Sequence, residues 1–534
     1  MSERDHALVD EGLQSLETRL RELMEIFRDV LQATGQESLV KHIPWLADTP
    51  NQQGQTSEEA PTLAQVYSIA FQLLDMVEER VAMTTRRARE RTLGPLAEKG
   101  LWPERLQSLK ERGLGEKEIA AVMASIRVEP VFTAHPTEAK RTSVRERHRD
   151  IYSLLLKLEH RGYTELEREL IRSRLRSTLE ALWFTGEIHL ERPTVKRELR
   201  NALYYLRERF PDVSARIDLH LSKSWEMLGF QPETLHEAGG GPQLGFGLWI
   251  GGDRDGHPFV TAAVTDETLT ELRKEALRLH QRELGSMSKH LTVSLNDQPV
   301  PKKLETRINE LVAALGDRGK RVHRRYAEEP WRVFGHLLAL QLAHSSTPNA
   351  RLLREDLLLM DESLKELGSA YLGKQYVRPV IRKLDVFGFH LASLDIRQNS
   401  AYHDRAAEQL LVAAGVPDGA SYSQWSEEKR LQFLTTELDS ARPFLHGDQK
   451  AGPEADAVRD CYRVVAAHRR TDSFGIGALI VSMTRQASDL LLVHLFARET
   501  GLTEINDSRL PVCPLQVVPL FDLGDLSEAS CHQA

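Results

Sequence analysis

The chain has 534 residues, enough for roughly three or four domains or for one large core with elaborations. Apolar residues make up 41% and charged residues 28%, an ordinary balance for a folded soluble protein. The 78 acidic and 70 basic side chains leave a net charge of -8. That balance excludes general nucleic-acid binding, which shows a large basic excess, but leaves room for a local basic pocket for a small anion. Cys461, Cys513 and Cys531 have no metal-ligand spacing and are too few for a disulfide framework, which fits a reducing cytoplasm. The first residues lack a basic segment followed by an apolar one, and the longest apolar stretches, such as Phe474 to Met483, fall short of the roughly 20 residues of a membrane helix. The expectation is a soluble cytoplasmic protein without membrane attachment.

The chain begins with a helix. Leu13, Leu16, Leu20, Leu23, Phe27 and Val30 recur at spacings of three and four, an apolar stripe suited to packing on the body of the protein. A polar stretch near 48–61, rich in Gln, Ser, Gly and Pro, predicts a mobile loop, and helical patterning resumes over 63–91. Arg86, Arg87, Arg89 and Arg91 there read as a solvated face. This gives an N-terminal helical region over 1–120. The remainder, 121–534, predicts a partial α/β barrel with long helical insertions at about 150–235 and 265–375.

From about residue 126 one pattern recurs: a short apolar strand, a polar loop, then a long amphipathic helix. The strands are expected at 126–133, 243–250, 389–396, 478–483 and 512–518. Strands alternating with helices imply a parallel sheet, and polar residues at the strand ends suit a barrel with its site at that face. Five candidates fall short of the eight strands of a closed barrel.

The first strand ends at Thr133-Ala134-His135-Pro136-Thr137-Glu138. Pro136 has a φ suited to a helical first turn, so His135 sits at a strand-to-helix junction, where α/β folds place their chemistry. An ordinary surface or core histidine is the alternative, since the chain has 20. After the second strand comes Gly251-Gly252-Asp253-Arg254-Asp255-Gly256-His257-Pro258, with glycines for a tight turn and charges of both signs. It lacks the spacing of a calcium, Walker or dinucleotide loop, and a tight turn with an internal Asp–Arg pair is the plainer reading. The following helix is expected to be capped by Thr265. Arg397, at the third strand's end, is a fork of donors suited to phosphate or carboxylate, or else the ion-pair partner of Asp395 on the same strand face. Asp522 is a hard-cation ligand candidate or a solvated carboxylate.

The segments Thr133–Glu138, Trp249–Gly256, Leu394–Gln398, Ser482-Met483 with Ser488-Asp489, and Val518–Phe521 occur in one order along the chain. Together they resemble phosphoenolpyruvate carboxylase, over nearly all of this chain but only the N-terminal and central part of the family's length. The resemblance implies a phosphoenolpyruvate/pyruvate-type (β/α) barrel, strongly helix-dominated, and carboxylation of phosphoenolpyruvate by bicarbonate to oxaloacetate and phosphate, with Mg²⁺ or Mn²⁺. It implies that His135 is a general base, that Arg397 holds the transferring phosphoryl group, and that Trp249, Arg254, Asp255 and Arg141 serve the substrate and bicarbonate pocket. It makes Asp522 the metal ligand, where the family usually has Glu. His257 stands where the family has Asn, and Thr142 replaces the second of two arginines. The family's second metal ligand, its arginine- and glycine-rich loop and its inhibitor-binding region fall beyond Ala534. The barrel is therefore expected to be incomplete, and activity to need the missing C-terminal part or a companion chain. A non-catalytic scaffold protein, a phosphohistidine phosphotransferase using His135, and a homo-oligomer stay open.

Overall fold

A computed structural model of the chain describes residues 3–46, 60–133, 141–160, 162–186, 194–255, 259–294, 299–505 and 511–521. Most of the expected loop at 48–61 lies outside them, as do His135, His257, Asp522 and Cys531. The backbone forms two compact units, Met1–Ile119 with His135–Pro193 and Leu221–Thr234, and Ala120–Ala134 with Thr194–His220 and Leu235–Ala534.

The first unit is helical. Its opening helix, Glu3–Ala33, packs on the helices Ala60–Leu93 and Glu165–Trp183. The stripe read from the sequence supplies the contact: Leu20, Leu23, Phe27 and Val30 are buried, while Leu13, a turn before the packed segment, is exposed. Thr164 starts the helix Glu165–Trp183 with a capping box, its hydroxyl accepting from the Glu167 N–H and the Glu167 carboxylate accepting from the Thr164 N–H. Arg86, Arg87 and Arg91 are exposed, whereas Arg89 is half-buried against Asp5.

The second unit holds a five-stranded sheet in chain order: β1 Val131–Phe132, β2 Gly247–Leu248, β3 Ser393–Asn399, β4 Ile476–Ser482 and β5 Val517–Leu520. Every pairing in it is parallel, as strand-helix alternation requires. Leu394 and Ile396 on one face of β3 join Leu479 and Val481 of β4 in an apolar core closed by the helices Ser400–Ala413, Pro453–Thr471 and Ala487–Glu499. Asp395 and Arg397 project from the opposite face. The helices between β2 and β3 build their own apolar cluster, with Trp331, Phe334, Leu337 and Leu357 at its centre. Among the described residues no helix is long and apolar enough to cross a membrane.

Several local expectations shift: the strands expected at 126–133 and 243–250 each split in two, Arg127–Val128 pairing with Gln243–Leu244 in a separate two-stranded parallel sheet. Phe389–Ala392 is a turn, not strand, with Gly388 and Leu391 at positive φ, so β3 starts later and keeps Arg397 within it. Val512 pairs antiparallel with Glu504–Ile505, and the fifth parallel strand begins at Val517. The helix after β2 is capped by Thr261 rather than Thr265, and spans Ala262–His290. Thr265 is instead buried, its hydroxyl donating to the Gly251 carbonyl at 2.8 Å and holding the glycine turn onto the helix.

Candidate functional site

The sheet's C-terminal end gathers the charged loop after β2 onto the end of β3. The Arg397 N–H donates to the Gly252 carbonyl at 3.0 Å, and the Arg397 carbonyl accepts from the Arg254 N–H at 2.9 Å. These bonds extend the parallel pairing past β2 to Asp253. The approach is close enough that a Cβ at Gly252 would collide with the Asp395 carbonyl oxygen. Glycine is therefore required here to let two backbones meet.

Stitching the loop to β3 places two carboxylates around one guanidinium. Arg397 Nη1 donates to Asp253 Oδ2 at 3.0 Å and Nη2 to Asp255 Oδ2 at 2.8 Å. The Asp255 N–H donates in turn to Asp253 Oδ1 at 3.1 Å. Burial pushes the Asp253 carboxyl up, against the lowering pull of Arg397. The Trp249 ring lies beside the guanidinium, 5.2 Å from its centre, within cation–π range. Arg397 Nε is buried without a hydrogen-bond partner among the described residues.

Both simpler readings of the motifs give way to this arrangement. Asp395 does not pair with Arg397, although both share a strand face. Its Oδ2 accepts from Trp249 Nε1 at 3.0 Å and its Oδ1 from the Ala478 N–H at 2.7 Å. Nor does Arg254 pair with its neighbouring aspartates. It turns away and donates from Nε to the Val260 carbonyl and from Nη1 to the Ala457 carbonyl, fastening the loop to the helix Pro453–Thr471. A cleft of about 750 Å³ opens beside the loop, lined by Arg254, Asp255, Gln398, Tyr402, Arg405 and Asp460.

The loop after β4 is held by a buried charge network that sequence reading left unassigned. Asp404, Asp489 and Arg430 are all nearly inaccessible. Arg430 donates to Asp404, and Arg485 Nη2 donates to Asp404 at 2.8 Å and to Asp489 at 2.7 Å. Ser488 and Asp489 were visible as a motif, and the Asp489 carboxylate accepts from the Gln486 N–H at 3.2 Å where the helix starts. Arg430 gave no such signal, because its partners lie far away in sequence.

Of the other site residues, Arg141 belongs to the first unit, where it precedes the helix Thr142–Leu158 with its guanidinium against Gly186. His135 and Asp522 fall outside the described residues. Among the described residues no group of three or more His, Cys, Asp and Glu is placed to hold a metal ion.

A family model for phosphoenolpyruvate carboxylase matches residues 16–532. The chain belongs to the phosphoenolpyruvate carboxylase family. Curated members similar to it include the phosphoenolpyruvate carboxylases of Methylorubrum extorquens, 32% identical over 91% of this chain and 54% of that protein, and of Chromobacterium violaceum, 29% identical over 88% and 53%. The Thermus thermophilus phosphoenolpyruvate carboxylase is 32% identical over 89% of this chain and 51% of its own length. The chain thus spans about half the length of the curated relatives it matches. Against this family, the Arg397 clamp and the glycine loop are the parts of the motif set that the described structure assembles in one place.

Proposed function

We propose that this chain carries the phosphoryl- and bicarbonate-holding part of a phosphoenolpyruvate carboxylation site, and that its sheet forms part of a phosphoenolpyruvate/pyruvate-type barrel. The observation that carries this is Arg397. It is a half-buried guanidinium at the C-terminal end of a parallel strand, oriented by two carboxylates that take one N–H from each terminal nitrogen. A planar fork of this kind recognises phosphate in two places at once, which a lysine does not.

In the reaction, bicarbonate attacks the phosphoryl group to give carboxyphosphate and the enolate of pyruvate. Carboxyphosphate releases CO₂ and phosphate, and the enolate captures CO₂ as oxaloacetate. Arg397 neutralises charge on the transferring phosphoryl oxygens, Trp249 walls the bicarbonate side, and Arg254 and Asp255 fix the loop between them. His135 removes the carboxyphosphate proton, and Arg141 contributes to anion binding. Mg²⁺ or Mn²⁺ would stabilise the enolate oxygen, with Asp522 as this chain's ligand. The described carboxylates nearest Arg397, Asp253 and Asp255, are engaged by its guanidinium.

The β1 and β5 strands form the two edges of the sheet among the described residues, which leaves room for further parallel strands. The relatives carry about as much sequence again, and we assign the completing strands and remaining phosphate ligands to the part of the family's length that this sequence does not span. Mixing this chain with the C-terminal half of a relative should give bicarbonate-dependent oxaloacetate formation, read by coupled NADH oxidation. A mixture no more active than either component would count against the reading. Acid-labile phosphate on His135 without bicarbonate-dependent turnover would favour the phosphotransferase instead.

A further inference from the structure

Trp249 has a single hydrogen-bond donor, the indole Nε1–H, and it is directed at Asp395 rather than at open space. The ring proposed above to wall the bicarbonate side thus has its orientation set by a carboxylate on the neighbouring strand. That carboxylate is itself held: Ala478 on β4 donates its N–H to the other oxygen. Gly477 completes the cradle, because a Cβ there would collide with Asp395 Oδ1. One side chain on β3 therefore links the end of β2 to β4 through two hydrogen bonds and a glycine gap. The charge on Asp395 is not spent on Arg397, whose guanidinium takes Asp253 and Asp255 instead.

We propose that Asp395 is a positioning residue that fixes the Trp249 indole beside the Arg397 guanidinium, so that Trp249 serves the anion subsite through its ring and not as a hydrogen-bond donor. The assignment rests on the proposed function for its link to catalysis, but the orientation itself does not. With the indole free to rotate, the cation–π contact and the shape of the pocket are lost together. A hydrogen bond to a charged acceptor contributes enough to make the held orientation dominate, and its loss should weaken anion binding by roughly tenfold.

The test uses the full chain with ¹⁵N-labelled tryptophan, the Trp249 indole signal being identified by its disappearance in Trp249→Phe. In Asp395→Asn the signal should shift and its exchange with solvent should accelerate. Gly477→Ala, which leaves Asp395 in place but pushes on its carboxylate, should do the same to a smaller degree and covers the case in which Asp395→Asn does not fold. Orthophosphate titration supplies the second readout. The dissociation constant should rise about tenfold in Asp395→Asn and by less in Gly477→Ala, tracking the indole signal. An indole signal unmoved in both folded variants would overturn the assignment, as would a displaced indole with unchanged phosphate affinity. If the wild-type chain bound no phosphate at all, the proposed function would fall, while the indole signal would still decide what orients Trp249.

Discussion

At the scale of single residues, the site depends on which carboxylate reaches which donor. Strand alternation correctly put Asp395 and Arg397 on one face, yet the pair did not form, because the loop after β2 delivers two aspartates directly to the guanidinium. No local pattern could show that, since the partners are more than 140 residues apart. Arg397→Lys keeps the charge but offers a point rather than a fork, and cannot reach both aspartates with parallel bonds. It should lower stability by about 1–2 kcal/mol in urea unfolding, through one half-buried carboxylate left unpaired. Stability equal to the wild type would mean that the clamp contributes nothing. The tight contact at Gly252 makes a second prediction. Gly252→Ala meets backbone rather than a movable side chain, so it should be among the most destabilising small substitutions in the chain, by roughly 2–3 kcal/mol in the same assay.

At the scale of elements, the helices after β2 and β3 each start at a capping side chain, Thr261 and Asn399. Asn399 is the last residue of β3 and the N-cap of the helix Ser400–Ala413, its Oδ1 accepting from the Ala401 N–H at 2.9 Å. Asn399→Ala should cost about 1 kcal/mol and fray that helix's first turn, visible as faster amide exchange at Ala401 and Tyr402. Unchanged protection there would show that packing alone sets the helix start. The strand-loop-helix pattern was legible because short β-branched runs stop at glycine and charge clusters, and five parallel strands stand near the places read from the sequence. Boundaries were less legible. Thr261 and Thr265 are both plausible caps, and only the packing of Thr265 onto Gly251 decides between them. Leu391 holds a positive φ that its side chain does not favour, so nothing local announced the turn before β3.

At the scale of the whole molecule, buried imidazoles make stability depend on pH. Burial pushes His280 down to about 4, with its Nε2 against the Gly388 carbonyl at 2.6 Å, and burial with the nearby Arg254 charge pushes His403 down to about 4. In the unfolded chain such groups titrate near 6.5. Between these values the unfolded chain binds protons that the folded chain refuses, so stability is intact above about pH 6.5 and falls as pH drops toward 4. Each histidine should contribute roughly 3 kcal/mol to that loss, and His403→Leu should flatten the slope by about that amount in urea unfolding measured from pH 4 to 7. Equal slopes would mean that His403 titrates normally. The central claim is that Arg397, clamped by the loop after β2, holds phosphate. That claim is tested most directly by titrating the full chain with phosphoenolpyruvate while following its ³¹P resonance, for the wild type and for Arg397→Ala with its fold checked by circular dichroism. Saturable broadening in the wild type that disappears in the folded variant is the predicted result; binding that survives the loss of Arg397, or no binding in the wild type, would contradict it.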